Sequence, residues 1–130
     1  MDFKDTPEEA QFRSEVQAWL KANAKPRSAD TRQRPQEEVY EDAKVWYKKI
    51  ADAGYASLTW PKEYGGAGLS PMHSVIWGQE GAKYDEPDGY FVIGIGNCGP
   101  AIQHFSDEET KKRLLPRMAS AEDVWCQLFF

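Results

Sequence analysis

The chain has 130 residues, the length of one domain, and its 41% hydrophobic and 13% aromatic content, with five Trp, is enough to build one packed core. A net charge of −5 argues against a nucleic-acid surface, since phosphate binding needs clustered Lys and Arg; the one basic run, Lys111-Lys112-Arg113, reads as a solvated helix face. Cys98 and Cys126 have neither metal-ligand spacing nor the density of a disulfide scaffold, no apolar run is long enough to span a bilayer, and no signal peptide is recognisable, so the composition predicts a soluble cytoplasmic protein without metal, membrane or nucleic-acid partners.

Thr6-Pro7-Glu8-Glu9 predicts a helix start: a capping residue, proline at the first helical position and glutamate three residues after the cap. Phe12, Val16, Trp19 and Leu20 then recur at helical spacing until Pro26, which places helix one at about residues 7 to 22. Residues 25 to 36 read as a polar loop. Glu37 to Ala53 is a second amphipathic helix with Val39, Ala43, Trp46, Tyr47 and Ile50 on one face, ended by Gly54. Tyr55 to Trp60 is apolar but too short for a helix, and the segment from Glu63 to Leu69 is a glycine-dense loop. Ser70-Pro71 opens a third helix that ends near Tyr84, with Met72, Val75 and Ile76 facing inward and Glu80 beside that stripe as a satisfied structural carboxylate. The run from Tyr90 to Ile95 fits either a strand or a buried helix, and Pro100 to Phe105 is a short segment. Ser106-Asp107-Glu108-Glu109 reads as a second capping box before a helix with Leu114, Leu115 and Met118 buried.

The residues from Val124 to Phe130 are almost uniformly apolar and rich in strand formers. They read as a strand that has begun without its sheet, which predicts a truncated chain and an aggregation-prone end.

Gly94-Ile95-Gly96-Asn97-Cys98-Gly99 spells the G-x-G-x-x-G pattern of dinucleotide-binding turns. That pattern requires a preceding strand, a helix opening at the last glycine and an acidic ribose partner after a second strand. Here Pro100 follows at once, the next capped helix starts near Ser106, and Glu122-Asp123 precedes the apolar tail instead of ending a strand. The reading favoured by these residues is close packing at helix ends, or small side chains that make room for a ligand lying against the chain. His73 and His104 are too far apart to suggest a local ligand pair, and no constellation marks a nucleophile. The residues alone therefore predict a mainly helical domain lacking a C-terminal partner.

Three collinear segments resemble the acyl-CoA dehydrogenase family: Leu58 to Leu69 with the helix carrying Glu80; Gly99-Pro100 through Phe105 and on to Ser120; and Glu122 to Phe129. The opening helix matches as well. The resemblance implies a mainly α fold, an orthogonal bundle of about five to six helices with a short strand-like tail. Residues 1–123 would form the N-terminal helical domain, and 124–130 the truncated first strand of a middle β domain. It further implies an FAD-dependent enzyme, homo-oligomeric when full-length, that removes hydrogens from the α and β carbons of an acyl-CoA. A carboxylate in the C-terminal domain takes the proton and the flavin takes the hydride, so no residue here is catalytic. Ile95, Gly96, Asn97, Cys98 and Gly99 would line the acyl pocket, and Gln127, Leu128 and Phe129 would begin the flavin-contacting strand. Phe130 stands where the family has Ser or Thr, so flavin binding and turnover are not expected of this chain alone. The competing reading is a non-enzymatic helical module that docks a partner through its apolar tail.

Overall fold

A computed structural model of the protein describes residues 4–29, 33–87 and 89–128. Among the described residues the chain forms five α-helices in the order α1 (Pro7–Asn23), α2 (Gln36–Asp52), α3 (Pro71–Gly81), α4 (Gly99–Phe105) and α5 (Glu108–Ala119). A 3-10 turn at Lys62–Tyr64 and a π-turn at Gly94–Cys98 fall between them. The mainly helical class is as expected. The sequence gives no sign of one small addition: β1 (Lys25–Pro26) pairs antiparallel with β2 (Tyr84–Asp85), Lys25 opposite Asp85.

The start of α1 follows its sequence signal. Thr6 Oγ1 accepts from the Glu9 amide at 3.2 Å and Glu9 Oε2 accepts from the Thr6 amide at 2.8 Å, completing the capping box ahead of Pro7. Val16 and Leu20 are fully buried. Helix α2 buries Ala43, Trp46, Tyr47 and Ile50 and closes on Gly54 at φ +84°. The Tyr55 amide reaches the Ile50 carbonyl and the Gly54 amide the Ala51 carbonyl, a left-handed helix ending that glycine adopts without steric cost.

Three expectations shift. Helix α3 stops at Gly81 instead of near Tyr84, because Tyr84 is taken into the pairing with Pro26. Its inward face is His73, Ile76 and Glu80, while Met72 and Val75 are exposed, Val75 by 49%. Packing against α1, where Phe12 sits edge-on to the His73 ring at 4.7 Å and Arg13 reaches Glu80, turns the helix away from the purely apolar stripe. The cap of α5 is Asp107, not Ser106: Asp107 Oδ1 accepts from the Thr110 amide at 2.7 Å, one residue later than the expected box. Ser70 does sit at the start of α3, but its hydroxyl pairs with His73 Nδ1 at 2.8 Å and caps no amide.

Two buried clusters result. One joins α1 and α2 through Val16, Leu20, Trp46, Tyr47 and Ile50 with Phe91; the other joins Trp60 and Tyr64 to Leu115, Met118 and Ala119 on α5. Ile95 packs against both. Beyond α5, Val124 to Leu128 form no strand pairing: Leu128 is 72% exposed, and Trp125 is half-buried against Gly94. Phe129 and Phe130 lie outside the described residues.

Candidate functional site

Where the two clusters meet, the surface opens into a cleft of about 390 Å³. Its walls come from the C-terminal half of α2 (Tyr47, Ile50), the segment Tyr55 to Trp60, α3 (Ser74, Trp77), and the π-turn region with the start of α4 (Val92, Ile95, Gly96, Pro100). Aromatic rings stiffen it. Tyr55 and Trp77 stack with centroids 4.7 Å apart, and Tyr47 stacks on Phe91 at 4.1 Å. Burial pushes the Tyr55 phenol above its ordinary pKa, with the Glu15 carboxylate adding to the shift, so Tyr55 presents a neutral ring.

The pattern Gly94 to Gly99 is a turn of π-helix running directly into α4, and the residues immediately before it, Val92 and Ile93, are helical and not a strand. The dinucleotide geometry is therefore absent. The expected pocket residues divide. Ile95 and Gly96 line the cleft; Asn97 is exposed and outside the lining, Cys98 is half-buried beside the second cluster, and Gly99 is buried beneath Trp60. The glycines serve opposite purposes. A Cβ at Gly99 would come within 2.1 Å of Trp60 Cζ2, so the small residue is what lets α4 lie against that ring. A Cβ at Gly96 would meet no atom within 4 Å beyond its own turn, and its φ is not in the left-handed region, so neither packing nor backbone conformation within this chain demands glycine there. Gln127 and Leu128 are exposed and do not reach the cleft; Phe129 lies outside the described residues.

The sequence reading missed most of the cleft. Periodicity places Tyr47 and Ile50 on the core face of a helix, and Tyr55 to Trp60 reads only as an apolar stretch between Gly54 and Pro61. That stretch, bounded by two breakers and too short for a helix, was the available signal.

No acid–base pair lies in the lining. Glu80 is 5% exposed, but it is held by Arg13 Nη1 at 2.9 Å and Lys83 Nζ at 2.5 Å. Burial pushes its carboxyl pKa up, but the hydrogen bonds from Lys83, Arg13 and Gln17 outweigh burial and leave it below the ordinary value. It is a satisfied structural carboxylate, as expected. Tyr64 donates to Glu108 Oε2 at 2.7 Å, tying the 3-10 turn to α5; the bond to that carboxylate raises the phenol pKa to about 12. A second cleft of about 400 Å³ between α2 and the strand pair has Lys25, Arg34, Asp42, Lys49 and Asp85 in its walls, with Arg34 paired to Asp42 at 2.7 Å. Among the described residues no group of His, Cys, Asp or Glu is arranged to hold a metal, and no helix is long and apolar enough to cross a membrane.

A helical domain with an aromatic-walled cleft at a small-residue turn is the class of structure these elements define. The profile of the acyl-CoA dehydrogenase N-terminal domain matches residues 6–122, and the chain belongs to the acyl-CoA dehydrogenase family as that domain. The acyl-CoA dehydrogenase IpdE1 of Mycobacterium tuberculosis is 33% identical over 121 residues, covering 90% of this chain and 31% of the relative. Its Mycolicibacterium smegmatis counterpart shows the same identity and coverage. The chain therefore spans about a third of the length of these relatives. Among solved structures, the ChsE4-ChsE5 complex from Mycobacterium tuberculosis superposes with a TM-score of 0.67 at 24% identity, covering 94% of this chain and 30% of that one. At that identity the likeness is one of fold.

Proposed function

We propose that these residues supply one wall of the acyl pocket in an FAD-dependent acyl-CoA dehydrogenase, with Ile95 and Gly96 facing the acyl group. The observation that carries the proposal is the cleft itself, which is walled by Tyr55, Trp60 and Trp77 and contains Ile95 and Gly96 of the turn expected to line the pocket. Cys98 and Gly99 act behind that surface: Gly99 seats Trp60 and Cys98 fills space beside it, while Asn97 is exposed outside the lining.

Dehydrogenation of an acyl thioester needs a base for the α proton and an acceptor for the β hydride. Neither role is assigned to a residue of this chain, which binds and orients the hydrocarbon and keeps water from it. FAD, when bound, supplies the hydride acceptor. Gln127 and Leu128, exposed beyond α5, are the residues that would meet the flavin edge, and they build no cradle for it within this chain. In this reading residues 124–130 lead into a β domain, the parent enzyme is an oligomer, and the chain alone holds neither flavin nor activity. The alternative of a non-enzymatic docking module is not supported by the family match.

The test is titration of the purified chain with octanoyl-CoA, followed by tryptophan fluorescence, since Trp60 and Trp77 line the cleft. A saturable change that Gly96→Leu abolishes is expected; no change, or one indifferent to Gly96→Leu, overturns the assignment. Mixed with FAD and passed through gel filtration, the chain is expected to elute colourless, and co-eluting flavin would contradict the claim that it holds none alone.

A further inference from the structure

Three of the five tryptophans stand in a line that joins the two clefts. Trp77 lines the first cleft and Trp46 the second. Trp19 of α1 lies between them, its ring centroid 5.9 Å from that of Trp77 and 5.8 Å from that of Trp46, with the rings tilted by 50° and 52°. Tyr55 flanks the line, stacked on Trp77 and edge-on to Trp19 at 5.2 Å. Packing asks only for large flat rings at these positions. Indole adds one property that phenylalanine lacks, since it gives up an electron readily. Tunnelling falls off exponentially with distance, so two short steps between touching rings outrun one long step across the domain. Two features keep a missing electron moving along the line. Trp46 is buried and its Nε1 has no hydrogen-bond partner among the described residues, so an oxidised Trp46 has no base at hand to take its proton and stays a cation that is easily refilled. Tyr55 also keeps its proton, because burial and the Glu15 carboxylate push its pKa up, and a phenol that cannot shed its proton resists oxidation.

We propose that Trp77, Trp19 and Trp46 form a relay that carries a one-electron oxidising equivalent out of the first cleft to the second. The relay rests on the spacing of the rings and goes beyond any reading of what the first cleft binds. A one-electron oxidant in the first cleft, an oxygen-centred radical or a light-excited flavin, takes an electron from Trp77. Trp19 refills Trp77, Trp46 refills Trp19, and a water-soluble reductant such as ascorbate or a thiol refills Trp46 from the second cleft. Lys25, Lys49 and Asp85 in the walls of that cleft are exposed, so such a reductant reaches it. One electron passes from reductant to oxidant, no bond to a ring forms or breaks, and no indole proton leaves. The walls of the first cleft are thereby spared oxidative damage.

The experiment fixes an oxidant at the first cleft. A ruthenium polypyridyl photo-oxidant is coupled to Gly96→Cys in a chain that also carries Cys98→Ser and Cys126→Ser; a side chain at position 96 meets no atom beyond its own turn. After flash-quench oxidation in air without reductant, peptide mass spectrometry maps oxygenated tryptophan. Oxygenation is expected at both Trp77 and Trp46. Trp19→Phe, which keeps a ring in place but breaks the line, should abolish the mark at Trp46 and leave that at Trp77. Trp60 lines the same cleft but joins none of these ring pairs, so its share should not change. An unmarked Trp46 in the starting chain, or a mark there that survives Trp19→Phe, overturns the inference. Circular dichroism checks that the variants are folded. If Trp19→Phe fails to fold, Trp46→Phe decides: with its outlet removed, oxygenation should rise at Trp19, and an unchanged Trp19 overturns the relay.

Discussion

Gly96, which lines the cleft, and Gly99, three positions later beneath Trp60, should respond in opposite ways to the same added methyl. At Gly99 the new Cβ would lie 2.1 Å from Cζ2 and 2.3 Å from Cη2 of Trp60, a ring that is 4% exposed. Ordinary carbon contact begins near 3.5 Å, so the ring or the start of α4 must retreat by roughly 1 Å. Trp60 packs in the cluster with Tyr64, Leu115 and Met118, which leaves it little room to yield. Overpacking of this kind costs about 1–3 kcal/mol. For a domain of this size each kcal/mol lowers the melting temperature by about 3–5 °C, so Gly99→Ala is expected to melt about 3–15 °C below wild type. At Gly96 nothing lies within 4 Å, and alanine is favoured over glycine in helical backbone by about 0.5–1 kcal/mol. Gly96→Ala should therefore melt at or slightly above wild type. Calorimetry on the three proteins decides the matter, with near-ultraviolet circular dichroism reporting on the Trp60 environment. Equal melting of Gly99→Ala and wild type would refute the close approach of α4 to Trp60, and a large loss in Gly96→Ala would refute the open face at that turn.

Further outcomes follow from particular contacts. Glu80 has its folded pKa held below the ordinary carboxylate value, so its contribution to stability is present above the unfolded pKa and is lost as pH falls through the folded one. Glu80→Gln is expected to lose about 1–3 kcal/mol at pH 7, discounted because Arg13 and Lys83 are partly exposed, and to show a shallower loss of stability in acid. Urea denaturation across pH 3–7 checks this, and parallel curves for the two proteins would count against it. Ala121, at φ 65°, is a non-glycine residue in the left-handed region at the end of α5; Ala121→Gly should gain up to about 1 kcal/mol in urea melts, and a destabilised variant would show that its packed methyl outweighs the strain. Removal of Leu128 to Phe130 should raise solubility, since Leu128 is 72% exposed; unchanged or lower solubility would mean that this end packs onto the helices.

Much of the framework was legible in the sequence because its signals are local. Thr6 and Glu9 are three residues apart, and Gly54 marks its own helix end; both act where they stand. Asp107 and Ser106 illustrate the limit of such signals: both residue types cap helices, and the choice is settled by where the α5 backbone begins. Val75 fits an apolar stripe as well as His73 does not, yet Phe12 and Arg13 of α1 supply partners for His73 and Glu80 that no pattern within α3 contains. The cleft was legible only in part for the same reason. The family resemblance points to Ile95 and Gly96, but Tyr47, Ser57 and Trp77 come from separate elements that tertiary packing alone brings to one surface.

The central claim, that the cleft at Ile95 and Gly96 receives the acyl group, is tested most directly by mapping octanoyl-CoA onto the chain with backbone amide and indole NMR shifts. The account predicts that the largest shifts fall on Val92, Ile95, Gly96 and the Trp60 and Trp77 indoles. Shifts concentrated instead around Lys25, Lys49 and Asp85 at the second cleft, or no shifts at saturating ligand, would contradict it.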